Sequence, residues 1–246
     1  MTLWEGLLLV VGGFAAGVIN TMAGGGSALT VPLLVLAGVP GNAANASNRV
    51  GVLTSNLAAV ASFRRLGTLD AGVRRYLPVL APVVVGSLVG SIAISRLSDE
   101  GFETVFGLLM MPIVILSILK PKVRTDGQSW PMWVTLAVFS VIGIYGGAVQ
   151  AGVGLVLLAA LTRAGFDLVT ANAVKVLINV VVTVIALPVF ILAGDVRWAP
   201  ALLLAVGFTA GGWSGAHLAV RGGERWIRAL VTVAALALAA SLLDLY

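Results

Sequence analysis

Two cations stand where a hydrocarbon-rich chain should tolerate none. Arg49 and Lys175 each fall well inside a segment that otherwise reads as membrane-crossing helix, and each is surrounded by amides. Asn172, Lys175 and Asn179 are spaced i, i+3, i+7 and so share one helical face. Asn45, Asn48 and Asn56 form a comparable stripe, with Arg49 on its flank. A base at membrane depth costs at least ~2.5 kcal/mol and must face a cavity or a partner. The 10 acidic residues all fall at expected helix ends or in loops, so no carboxylate is available. The remaining natural partner is an anionic ligand. Blander readings stay open: Asn45 and Asn48 as polar caps near the headgroups after "VPGN", and Arg49 or Lys175 snorkelling toward the interface.

A second group of residues could serve the same chemistry. "NTMAGGGSALTVP" places Asn20 and three consecutive glycines, Gly24, Gly25 and Gly26, just before Ser27. Glycines let the backbone bend and approach closely, and a helix starting at Ser27 would present free N–H groups with the positive end of its dipole. "VQAGVG" repeats the arrangement more sparsely, with Gln150 in the place of Asn20 and Gly152 and Gly154 before the next short helix. Close helix packing through small residues is the alternative for these glycines, and the preferred reading for Gly86, Gly90, Gly211, Gly212 and Gly215. No Gly-Lys-Ser/Thr follows, so a phosphate-binding loop is unsupported.

These residues need elements to position them. The chain has 246 residues, 59% of them hydrophobic and 10% charged, with a mean hydropathy of +1.07. Soluble domains carry about 25% charge, so this is an all-α polytopic membrane bundle; strict period-2 alternation, the mark of a barrel, is missing. Hydropathy and helix breakers predict helices at 3–20, 27–38, 43–63, 76–95, 102–119, 131–147, 153–163, 168–193, 199–219 and 226–243. The segments 27–38 and 153–163 are too short to cross ~30 Å of hydrocarbon and follow glycine-rich breaks. They read as return arms of re-entrant hairpins, leaving about 8 spans.

The chain also repeats itself. Asn45 falls on Asn172 and "AGV" at 37–39 on "AGF" at 164–166, while "RYLP" (75–78) matches "RWAP" (197–200), and Gly86, Gly90 and Arg96 match Gly211, Gly215 and Arg221. Two halves, 1–121 and 128–246, are expected to share one plan within a single transmembrane domain. Arg64, Arg65, Arg74 and Arg75 mark one loop as cytoplasmic, as do Lys120, Lys122 and Arg124, and more weakly Arg221, Arg225 and Arg228; the loop with Asp99, Glu100 and Glu103 lies outside. With five elements per half, the repeats enter the membrane in opposite senses. An inverted repeat places a substrate site at the midplane, on broken helices.

Other classes recede. "MTLWEGLLLVVGGFAAGV" has Glu5 in place of a basic leader segment and reads as a retained helix. Cysteine is absent, which removes disulfides, thiol chemistry and Cys-ligated metals. The net charge of +5 sits in short loops, where positive-inside bias explains it, so no nucleic-acid partner is expected. Carboxylate pairs, His clusters and activated nucleophiles do not converge, which argues against an intramembrane enzyme and against any metal or cofactor. His217 reads as structural, with a proton relay as the minor alternative. Trp4, Trp130, Trp133, Trp198 and Trp226 form an interfacial belt, and Trp213 packs. Abundant small-residue faces would permit a homodimer.

Taken together, "GVINTMAGGGSALTVPLLVLAGVPGNAANASNRV", "GIYGGAVQAGVGLVLLAALTRAGFDLVTANAVKVLIN" and "GDVRWAP" resemble the TauE/SafE sulfite and sulfonate exporter family of bacterial inner-membrane permeases. The resemblance spans both repeats. It implies a multi-pass permease moving small sulfur oxyanions or organosulfonates, other small acids included. Its repeated motifs fall on Asn20, Gly24 to Ser27, Asn45, Asn48, Arg49, Asn172 and Lys175. The expected mechanism is alternating access around a midplane anion, with a passive anion channel as the alternative.

Overall fold

The computed structural model describes residues 2–69, 77–98, 100–102, 104–108, 130–164 and 166–243, with backbone alone at 77 and from 223 on. Outside the described residues lie Arg74 and Arg75, Asp99 and Glu103, most of the expected helix 102–119, and the basic segment Lys120 to Arg124. All regular structure among the described residues is helical.

Helix α1 (Leu3–Met22) starts in a capping box: Thr2 Oγ1 accepts from the Glu5 amide at 3.3 Å, while Glu5 Oε2 accepts from the Thr2 amide at 2.7 Å. After the glycine break comes the short α2 (Ser27–Leu36). Pro40 and Pro131, with fixed φ and no N–H to lose, immediately precede α3 (Gly41–Arg65) and α5 (Met132–Ala148). Between those two runs α4 (Leu77–Ser95). A second short helix, α6 (Val153–Arg163), leads to α7 (Leu168–Leu192), capped by the Asp167 carboxylate through the amides of Val169 and Thr170 at 3.1 and 3.0 Å. A short helix of 10 or 11 residues thus twice precedes one of 25 residues, and residues 100–102 and 104–108, between α4 and α5, are helical as well.

The last element corrects one expectation. Instead of helices 199–219 and 226–243, a single helix α8 spans Trp198–Leu243, 46 residues. The predicted break rested on "RGGER". Glycine lowers helix propensity by about 1 kcal/mol per residue but, unlike proline, removes no hydrogen-bond donor, so a paired glycine does not by itself end a helix. Its apolar portion, Trp198–Gly222, joins Leu3–Met22, Pro78–Ser95 and Leu168–Leu192 as the four described helices long and apolar enough to cross a membrane.

Helix α3 is as long as α7, yet far more polar. Its asparagines and serines are buried in protein: Asn42, Asn45, Asn48, Asn56, Ser47, Ser55 and Ser62 are all below a tenth exposed. Packed against both α7 and α8, α3 keeps that surface from lipid. Outward faces are apolar instead, as at Leu3, Val11, Val85, Val141, Leu192 and Val206.

Contacts pair off between the halves. α1 lies along α8 as α4 lies along α5, and α3 packs on α8 as α7 packs on α4. Small residues carry these crossings: a Cβ on Gly86, Gly90 or Gly147 would meet backbone across the α4–α5 seam, and one on Gly17, Gly207 or Gly211 across the α1–α8 seam. Gly212 and Gly215 likewise abut Ser55 and Thr21. The small-residue faces invoked for a dimer are therefore occupied within the chain at these positions.

At the centre the two breaks touch. Gly24, with φ +88°, lies backbone against backbone on Gly154, and a Cβ on either would overlap the other. Gly38 also has positive φ, +80°, but open space around it. Gly154→Ala is therefore expected to destabilise by about 1–3 kcal/mol through overpacking, with the loss falling on the contact between breaks. Gly38→Ala should cost only the left-handed penalty of about 1–2 kcal/mol, without disturbing neighbours. Thermal unfolding of the purified variants in detergent checks this, and a Gly154→Ala protein as stable as wild type would contradict the contact.

Candidate functional site

Where the end of a helix is buried in protein, its last carbonyls must find donors other than water. Both α1 and α5 stop at the glycine breaks. Each end is met by a cation from the other half.

Lys175, on α7, reaches the end of α1. Its Nζ donates to the carbonyls of Asn20 and Thr21 at 3.1 and 2.9 Å and to Asn172 Oδ1 at 2.6 Å. An ammonium has three N–H groups, so Lys175 has none left. Arg49, on α3, closes α5. Nη1 donates to Gly146 O at 3.1 Å and Gln150 Oε1 at 3.3 Å, and Nη2 to Gly147 O at 2.7 Å and Ala148 O at 2.8 Å. Only Nε is unpaired among its donors. The guanidinium also stacks 4.5 Å from the Phe190 ring centroid. Asn45 Nδ2 adds a bond to Ala148 O at 3.1 Å.

Both cations are fully buried, so the snorkelling alternative does not describe them. Nor do Asn45 and Asn48 sit as exposed caps, for both are at 0% exposure. Each cation does have a partner within the protein, one that side-chain inspection could not reveal: main-chain carbonyls carrying the partial negative end of a helix. Among the residues whose side chains are described no Asp or Glu is buried as a whole, although Asp195 Oδ2 is.

The two breaks are built alike but furnished differently. Asn20 lies in the last turn of α1, not beyond it, and Gly26 packs directly on it: a Cβ there would strike the Asn20 side chain and the Ala16 carbonyl. Around this first break Asn20, Asn48 and Asn172 each leave a buried Nδ2 without a partner. Asn48 Oδ1 accepts from Thr30, one turn into α2. The amides of residues 25, 26 and 27 donate to nothing among the described residues.

At the second break Gln150 has φ +63° and Gly152 +72°. A left-handed glutamine is uncommon, and here its side chain is held at both ends: Oε1 by Arg49, and Nε2 by donation to Thr183 Oγ1 at 2.6 Å. Thr183 in turn donates to Asn179 O at 2.7 Å, while Asn179 Oδ1 has no partner. Tyr145 hydroxyl donates to Ala151 O within the same turn. Gly154 faces the first break, as described above. Thr21, Thr30 and Thr183 were not singled out from the sequence; only their proximity to the breaks marked them.

His217 sits apart from both breaks. Its Nδ1 lies 3.0 Å from Ser62 Oγ and 3.1 Å from Trp213 O, tying α3 to α8.

Comparison with known proteins fits this architecture. The family model described as "Sulfite exporter TauE/SafE" matches residues 9–242. This chain belongs to the TauE/SafE family. A "Probable membrane transporter protein ORF9" of a Sinorhizobium species is 29% identical over 239 residues, covering 96% of this chain and 91% of the relative. "Probable membrane transporter protein YfcA" of Escherichia coli K12 is 28% identical over 232 residues, covering 93% and 86%. A "Probable membrane transporter protein" of Haemophilus influenzae is 26% identical over 225 residues, covering 90% and 88%. No solved structure matches the chain. Membership in the TauE/SafE family makes this a multi-pass membrane transporter and not an enzyme.

The capping role of Arg49 is measurable. Arg49→Met strips donors from three helix-end carbonyls and is expected to lower stability by on the order of 3 kcal/mol or more. Arg49→Lys keeps the charge but supplies fewer donors, and should fall between that variant and wild type. Equal unfolding midpoints for Arg49→Met and wild type in detergent would refute the cap.

Proposed function

We propose that this transporter carries small anions, sulfite or organosulfonates foremost, by alternating access around a site where the two broken hairpins meet. The observation that carries the reading is the full burial of two cations held by carbonyl and amide oxygens. A helix C-terminus contributes roughly −0.5 of a charge, so each capped cation leaves the interior net positive. An anion completes the balance, attracted by that charge and desolvated by amide donors in place of water. The sulfur oxyanion class comes from the family description, "Sulfite exporter".

The exchange of contacts between halves supports two related repeats, 1–121 and 128–246, of opposite orientation in the membrane. Each half supplies the cation that closes the other's broken helix, which suits a site shared between them. The candidate groups are Asn20, Gly24 to Ser27, Asn45, Asn48, Arg49, Gln150, Gly152, Gly154, Asn172, Lys175 and Asn179. Contact between Gly24 and Gly154 favours a carrier over an open channel, since a pore along that line would have to part the two backbones.

Uptake of labelled sulfite and of a small sulfonate panel into proteoliposomes tests the reading. Wild type should show saturable flux and counterflow, and Lys175→Gln should reduce the flux at least tenfold, on the order of 1.4 kcal/mol or more. Flux that rises linearly with concentration would indicate a channel instead, and a folded wild type without flux for any of these anions would remove the substrate class.

A further inference from the structure

Most side-chain donors at the second break are paired, Arg49 Nε excepted, whereas three at the first are not. At the second, Gln150 Nε2 is spent on Thr183, Asn45 Nδ2 on Ala148 O, and both terminal nitrogens of Arg49 on helix-end carbonyls and Gln150. At the first, Asn20, Asn48 and Asn172 are 3%, 0% and 0% exposed, and all three keep an unpaired Nδ2. Beside them the amides of residues 25 to 27 open the 10-residue helix α2 without partners. A buried donor left unmade costs about 1–3 kcal/mol, so a cluster of them marks a place meant to be filled by acceptors.

We infer that the anion headgroup docks at the first hairpin alone, held by Asn20, Asn48, Asn172 and the leading N–H groups of α2, while the second hairpin is a fixed strut. This rests on the anion-carrier reading and narrows it. Lys175 is a positioning residue here. By taking Asn172 Oδ1 at 2.6 Å it fixes that amide with its Nδ2 turned away from the ammonium. The Asn20 carbonyl held by the same ammonium anchors the last turn of α1, on which Gly26 rests. Its charge is felt by the anion, but its hydrogens are not shared with it. Donors arriving from α1, α3, α7 and the α2 terminus suit a compact headgroup with three or more acceptor oxygens around one atom. A planar carboxylate has two oxygens and would leave some of these donors unmade.

The test is binding of sulfite, ethanesulfonate and propionate to the purified full-length protein by calorimetry, with uptake into liposomes in parallel. Asn172→Asp keeps the acceptor for Lys175 and removes the donor. Asn20→Ala removes only the amide side chain and leaves the backbone carbonyl on Lys175, so it reports even if Asn172→Asp fails to fold. Thr183→Val releases Gln150 at the second hairpin. Affinity for sulfite and ethanesulfonate should fall about 30-fold in Asn20→Ala, the loss of one charge-assisted bond, and further in Asn172→Asp, which also sets a carboxylate beside the anion. In Thr183→Val it should stay within about threefold, and propionate should bind wild type more weakly than ethanesulfonate does. Comparable losses in Thr183→Val would make the site two-sided. Undiminished affinity in both asparagine variants would move the site elsewhere and leave the carrier reading standing, whereas a wild type that neither binds nor transports any probe would overturn both. Propionate bound as tightly as ethanesulfonate would overturn the headgroup assignment.

Discussion

A helix whose end is buried in protein must find donors for its last carbonyls, and the rest of this fold follows from how α1 and α5 meet that demand. Residues 20–22 and 146–148, at those ends, are all buried. The donors come from α7 and α3, each from the opposite half. This single requirement places a cation at depth on each polar helix. It also ties the halves together without an ion pair, because a helix end offers partial charge where a carboxylate would offer a full one. Full neutralisation would leave an anion nothing to balance; partial neutralisation holds the cations in place and keeps the interior attractive to negative charge.

The glycines serve the same arrangement. For a cation on α7 to reach the end of α1, the breaks must sit side by side, and Gly24 on Gly154 achieves this with bare backbone. Long seams of small residues between α1 and α8 and between α4 and α5 then bring the crossing helices close enough to bury the amide-bearing faces of α3 and α7. That packing is what allows α3 to carry so many buried amides. Hydrophobic content alone therefore does not describe its setting, and α3 crosses the protein interior while its neighbours face lipid.

Much of this was legible in the sequence, and the illegible parts share a cause. Arg49 and Lys175 were conspicuous because no acid accompanied them, and the short helices α2 and α6 because glycines preceded runs too brief to span. What the sequence could not display was the main chain as a binding partner: carbonyls do not appear in a list of side chains, so the groups that hold the two cations are not legible there. The break expected after Arg221 failed for a local reason, since glycine weakens a helix without removing a hydrogen bond, whereas the breaks at Gly24 and Gly152 are enforced by positive φ and by packing from the other half. The position of Asn20 inside the last turn of α1, and the pairing of Gln150 with Thr183, depended on contacts between segments far apart in the chain.

The two cations also differ in how they meet their targets. In the register that sets Asn45 on Asn172, Lys175 falls on Asn48, and Arg49 falls one position later, on Val176. One residue is a rotation of about 100° on a helix, so the cations cannot approach their targets from equivalent directions. Their chemistry differs accordingly. The end of α5 presents three carbonyls and the Gln150 oxygen, four acceptors that suit the planar fork of a guanidinium. The end of α1 presents two carbonyls and the Asn172 oxygen, which match the three hydrogens of an ammonium. The lysine takes the Asn172 oxygen as its third acceptor and leaves that amide's Nδ2 unpaired, whereas the Gln150 oxygen goes to the arginine and its nitrogen to Thr183. A difference of one residue in that register thus goes with different acceptor sets at the two breaks.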